Sequence, residues 1–121
     1  MDITKLRTML ATNVTGKMLQ YMEFFDDEDE CPFTKEDVAK CERILSDYLD
    51  SLMALSSPTD QAIMHCVQDV VLALNKLNED TDYAMIETEE RENIWELIQT
   101  SAVDCGLQNP AEDITEEWRE W

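Results

Sequence analysis

The stretch from Asp60 to Leu77 constrains the fold more than any other part of this chain. It reads D-Q-A-I-M-H-C-V-Q-D-V-V-L-A-L-N-K-L, and apolar side chains cover most of its circumference. Ala62, Ile63, Cys66, Val67, Val70, Val71, Ala73, Leu74 and Leu77 follow the i, i+3, i+4, i+7 spacing of a helix. Its only charges are Asp60, Asp69 and Lys76, in a chain with 28 acids. A helix this apolar predicts a central position, contacted on several sides. The rest must supply the contacts, and with only 2 Gly and 3 Pro there are too few turn signals for a β-sandwich or barrel.

Residues 2–25 predict a first helix, with Asp2 as N-cap and Ile3, Leu6, Leu10, Val14, Met18, Tyr21, Met22 and Phe25 as its apolar stripe. Gly16 predicts a kink or break near Thr15–Gly16. Five consecutive acids, Asp26 to Glu30, repel one another and predict a solvated loop. Phe33 is placed as a hydrophobic staple, and Thr34 with Asp37 forms a capping box opening a second helix. Its seam is Val38, Cys41, Leu45, Tyr48, Leu52 and Leu55, with Ile44, Leu49 and Met53 beside it. Ser57-Pro58 predicts an N-cap and a first-position proline for the central helix, which should end near Leu77. A loop follows to Glu87, and Thr88 should cap a helix carrying Ile94, Trp95, Leu97, Ile98, Ala102 and Cys105. Gly106 stops that helix, with Leu107 as the accompanying apolar contact. In the tail, Asn109-Pro110 or Asp113 with Glu116 caps a short final helix, docked through Ile114, Trp118 and Trp121. A mobile acidic tail is the alternative. The expected fold is an all-α single-domain bundle over residues 1–121, with four main helices plus a short C-terminal helix.

The formal net charge of −19 narrows the partners. Residues 23–30, 78–92 and 104–121 together carry −17 of it, so the core helices are near neutral. Such a balance opposes direct contact with nucleic acid or an anionic membrane, and it favours basic proteins, cations or simple solubility. No stretch approaches the roughly 18 apolar residues of a membrane span. The N-terminal M-D-I-T-K-L-R-T-M-L has charges spread through it, so no targeting signal is expected and the location is read as cytoplasmic. Cys31, Cys41, Cys66 and Cys105 have no C-x-x-C spacing and read as small buried hydrophobes in a reducing compartment. A disulfide framework with three pairings is the alternative.

Few residues suggest chemistry. The one histidine, His65, neighbours Cys66, but adjacent helical residues point about 100° apart and do not form a dyad. No nucleophile elbow, zinc-protease, Walker or dinucleotide pattern is present. The chain is therefore read as a non-enzyme with no cofactor and no metal. The nearest approach to a metal motif is Asn78–Glu89. As a calcium loop it would place Asn78, Asp80 and Asp82 first, third and fifth, the Ala84 carbonyl seventh and Glu89 twelfth. Tyr83 then falls where the turn needs Gly.

The same segment reads better as a protein-binding site built from Glu79, Asp80, Asp82, Tyr83, Glu87 and Glu90. The Tyr83 ring would anchor a contact while the acids steer a basic partner. Alternatively Tyr83, Met85 and Ile86 fold back together and seal the bundle, the reading preferred for Ile86. Arg91 is expected in an internal ion pair with Glu87 or Asp82, and Trp118 with Trp121 is a second candidate patch. The leading expectation is an acidic binding protein that docks on a basic partner protein, most concretely an immunity protein or inhibitor of a toxin such as a nuclease. The alternatives are a DNA-mimic inhibitor and a cation-responsive helical module using the 78–89 loop. Exposed apolar stripes on the first or second helix would be the surfaces of a homodimer.

Overall fold

A computed structural model describes residues 1–121. It is all-helical, with no strands. The first rod comprises α1 (Ile3–Met9), a π-helical stretch (Leu10–Thr15) and α2 (Gly16–Met22). Then come a 3-10 turn (Glu28–Glu30), α3 (Lys35–Met53), α4 (Asp60–Asp80) and α5 (Thr88–Cys105). One core cluster of 26 buried residues draws on all of them except the 3-10 turn.

The π-helical stretch has a cause in the sequence. Leu6, Leu10, Val14 and Met18 are all buried and recur every fourth residue. In a regular α-helix each such step drifts by about 40°, so the row would wind off the core. A wider π turn reverses the drift and keeps the row facing α3 and α5. Gly16 marks its end: its amide reaches the Ala11 carbonyl, and a Cβ here would lie 2.4 Å from that oxygen. The expected disturbance at Thr15–Gly16 is thus a change of helical pitch inside a continuous rod.

The local signals around α3 hold as expected. Thr34 Oγ1 accepts from Asp37 N (3.1 Å), and Asp37 Oδ2 accepts from Thr34 N (2.9 Å). Phe33 and Val38, the staple pair, are both buried. The α3 seam lies in the core except at Leu55, which is partly buried; beside it Leu49 is buried, Ile44 partly buried and Met53 exposed. Tyr48 OH is satisfied within the core, 3.1 Å from the Ile98 carbonyl and 2.9 Å from Ser101 Oγ. Two boundaries of α4 differ from expectation. Its N-cap is Thr59, whose Oγ1 accepts from Ala62 N, so Pro58 precedes the cap and does not occupy the first helical position. Its C-terminus extends three residues beyond Leu77, for a reason given below.

The apolar helix α4 packs chiefly on α3 and also on α5, so the central position expected of it belongs to α3, which contacts the first rod, α4 and α5. Helix α4 also holds the tail, through Asp60 and through the buried Asn75. Asn75 Nδ2 donates to the Trp118 carbonyl (2.8 Å), and its Oδ1 accepts from Glu120 N (3.0 Å). α5 ends as expected: Gly106 has φ 118°, and Leu107 N bonds the Ala102 carbonyl in a Schellman motif. The tail then runs back along the bundle. Asp60 receives Gln108 N (2.8 Å) and Asn109 N (3.2 Å), and Gln99 holds Ala111 O (2.9 Å) and Ile114 N (3.1 Å). Asp113 caps residues 114–118, which form hydrogen-bonded turns where the sequence predicts a short helix. No helix is long and apolar enough to cross a membrane.

Candidate functional site

Topology gathers the acidic segments at one end of the bundle. At the far end of the rod, Arg7 pairs with Asp50 and donates to Ser46 Oγ, deep in the second half of α3. At the near end, Tyr21 stacks on Phe33 (5.9 Å between centroids), just before α3 begins. Helix α4 runs antiparallel to α3, so Lys40 and Arg43 share a groove with Lys76 and Asp80. The acid run 26–30 and the segment 79–92 therefore stand at the same pole.

The turn carrying the predicted site is organised by Asn78. This residue is buried, and its carboxamide oxygen accepts from Ile86 N (2.9 Å) while its carbonyl accepts from Tyr83 N (2.7 Å). These bonds wrap the connection around the helix end, which is why α4 continues to Asp80. Asp82 (φ 55°) and Tyr83 (φ 61°) take left-handed backbone in succession. Asp tolerates that conformation; a Tyr there costs about 1–2 kcal/mol. The geometry separates residues that the sequence left together. Met85 and Ile86 are buried and close the bundle, whereas Tyr83 is 58% exposed.

The predicted acids are not equivalent. Glu79, Asp82 and Glu87 are exposed and free of intrachain ion pairs. Asp80 is paired with Lys76 (2.9 Å), and its hydrogen bond and charge hold that ammonium above the usual lysine range. Glu90 is half-buried, and burial, then the charges of Glu89 and Glu87, pushes its carboxyl up. Glu87, not Thr88, is the N-cap residue of α5, with no side-chain cap bond. Arg91 also departs from expectation: it makes no ion pair with Glu87 or Asp82 and instead lines a groove toward the tail.

Asn78 and Asp80 belong to α4, and the Asn78 oxygen that would be a first cation ligand is aimed at a backbone amide. No group of three or more His, Cys, Asp or Glu side chains is arranged to hold a metal ion. His65 is exposed, 3.6 Å from Asp69. All four cysteines are free. Burial pushes the Cys41 thiol up to about 12 and raises Cys66 and Cys105 as well, so these three carry no thiolate at neutral pH.

Ile114, Trp118 and Trp121 dock the tail on the core as the sequence predicts, so the two Trp rings do not form an open patch. Two features were not singled out from sequence. The first is the polar clamp on that tail, in which Arg119 bonds Asp113 (3.0 Å) and lies over the Trp121 ring. The groove between α5 and the tail is lined by Arg91, Trp95, Glu112, Glu116 and Arg119. Trp95 Nε1, Arg119 Nε and Trp121 Nε1 are buried without a hydrogen-bond partner in the chain. The second feature lies at the acidic pole. Phe24 is 85% exposed and Leu19 42%. Leu19 also lines a groove of about 500 Å³, with Met22 and Phe25 as the rest of its apolar lining and Glu23, Asp26 and Glu28 as its acids; Phe24 is not part of that lining but lies in the chain between two of its residues. Phe24 was legible as an apolar residue beside the acid run, but the stripe rule selected its neighbours Tyr21, Met22 and Phe25.

No family model matches the chain, and no match is found among curated proteins or among solved structures.

Proposed function

We propose that this chain is a non-catalytic acidic binding protein that docks on a basic partner protein. Its most concrete form is an immunity protein or inhibitor that covers the positively charged active site of a toxin such as a nuclease. The observation that carries the reading is Tyr83, a large ring held in solvent by costly left-handed backbone, with Glu79, Asp82 and Glu87 unpaired around it. A bundle closed by Met85 and Ile86 has no packing use for that ring. Its use is external: the acids steer a cationic surface into contact, and the ring then buries against it. A mimic of DNA would need acids spread along a long surface, whereas these are gathered at one pole. Four free thiols suit a reducing compartment, and we place the protein in the cytoplasm.

The test is affinity capture from the native source at low salt, comparing the wild-type chain with the double charge reversal Asp80→Lys/Asp82→Lys. One stoichiometric basic protein, retained by wild type, eluting sharply with salt and lost from the variant, is the expected result. A captured set that charge reversal leaves unchanged would refute the assignment of this turn.

A further inference from the structure

The end of the first rod presents a second surface, built from different residues. Helix α2 stops at Met22, and Phe24 N and Phe25 N bond the carbonyls of Tyr21 and Met22 in a tightened last turn. The neighbouring aromatics are already engaged. Tyr21 stacks on Phe33 and meets Phe25 edge-on, with ring centroids 5.3 Å apart. Phe24 shares in neither pair and remains 85% exposed. Single exposed apolar residues are ordinary on protein surfaces. Here the exposed ring lies in the chain between Glu23 and Phe25, both of which line the same groove, and exposed Leu19 lines it too.

Charge selects the occupant. The groove's acids continue into the unbroken run Asp26–Glu30, and its one base, Lys35, is held only by an exposed contact of 3.6 Å to Glu28. The carbonyl end of α2 points the same way and adds to the negative field. A second copy of this chain would bring two such acid runs face to face, and an anionic membrane would be repelled outright. An apolar lining with an acidic border instead fits a segment having one apolar face and one cationic face.

We infer that the Leu19–Phe25 groove docks a cationic amphipathic helix of a partner protein, with Phe24 and Leu19 meeting its apolar face and the acids of residues 23–30 meeting its lysines or arginines. The inference shares the sign of the partner with the function proposed above but none of the residues, so the two fail separately.

The probe is a synthetic Leu/Lys helix of about 18 residues, roughly five turns, compared with a scrambled isomer of identical composition. Both are titrated calorimetrically into the full chain at near-physiological salt. The expected result is saturable one-to-one binding of the amphipathic peptide, about tenfold tighter than the scrambled one. Phe24→Ser and Leu19→Ser should each remove most of that difference. Both side chains are exposed, so both variants should melt with the wild-type protein, whereas Asp80→Lys/Asp82→Lys should keep the preference for the amphipathic isomer. Equal binding of the two peptides, no saturable binding, or an unchanged preference in Phe24→Ser would overturn the inference. So would a wild-type dimer in sedimentation that becomes monomeric in Phe24→Ser, since the groove would then belong to a second copy.

Discussion

The acidic pole and the acidic tail have similar compositions and opposite constructions. Both combine dense carboxylates with aromatic side chains and a single Arg. In the tail one acid works inward: Asp113 caps the final turns and pairs with a mostly buried Arg119, and two tail amides donate to Asp60 of α4, while the other tail acids are exposed and make no ion pair. Trp118 and Trp121 turn toward the core. At the pole most acids have no intrachain partner, and Phe24 and Tyr83 face water. Density of negative charge therefore does not mark a binding surface in this molecule. The distinguishing variable is where the neighbouring aromatic rings go, and hydrogen bonds from α4 decide that for the tail.

The largest effect should come from cutting those bonds. Asn75→Leu removes both the donor to the Trp118 carbonyl and the acceptor for Glu120 N, and leaves an apolar face under a polar backbone. Urea denaturation should show a loss of about 2–3 kcal/mol. Tryptophan emission should shift to the red as Trp118 and Trp121 reach water. A stable variant with unchanged emission would mean that apolar contacts alone dock the tail, and the contrast between the two acidic regions would then lose its stated cause.

Much of this construction was legible because its signals are local. The Thr34–Asp37 box, the Phe33 staple, the Gly106 stop and the apolar stripes each act within a few residues, and each appears where the spacing put it, except that Tyr21 and Met53 are exposed. Several features that sequence reasoning missed depend on distant partners. Asn75 looks like an ordinary polar residue on a helix until the tail arrives from 43 and 45 positions away. Asn78 lengthens α4 by bonding an amide eight residues on, which helix spacing cannot anticipate. At Thr59 two hydroxyl residues flank Pro58, and the later one serves as the cap. Arg91 has acids on every side in sequence, yet helix geometry turns it toward the tail groove. For Tyr83, composition suited both a seal and an anchor, and backbone dihedral angles decided for exposure.

An intermediate effect tests whether the pole keeps its aromatic at a cost. Tyr83→Gly relieves the left-handed strain and should raise stability by about 1 kcal/mol in urea titration, despite the added freedom of the unfolded chain. The same variant should lose the basic partner in affinity capture. Higher stability with partner binding intact would show that the ring is not the anchor. Lower stability would show that the ring supports the bundle, and the pole would then resemble the tail.

The smallest effect concerns Glu90, the one pole acid that is half-buried as Asp113 is in the tail. Burial and the charges of Glu89 and Glu87 raise its pKa, although its own backbone amide opposes the shift. A carboxyl raised on folding contributes stability that is present below its unfolded pKa and is lost as pH rises through its folded pKa. At neutral pH its charge is therefore a cost, and Glu90→Gln should raise the melting temperature by about 1 °C at pH 7. The gain should shrink as pH falls through the carboxylate range and vanish near pH 3, where both states hold the proton. The competing force is the α5 dipole, which favours a negative charge in the first turn. If Glu90→Gln melts lower at pH 7, the dipole outweighs burial. Glu90 would then join Glu79, Asp82 and Glu87 as charge the pole can direct at a partner.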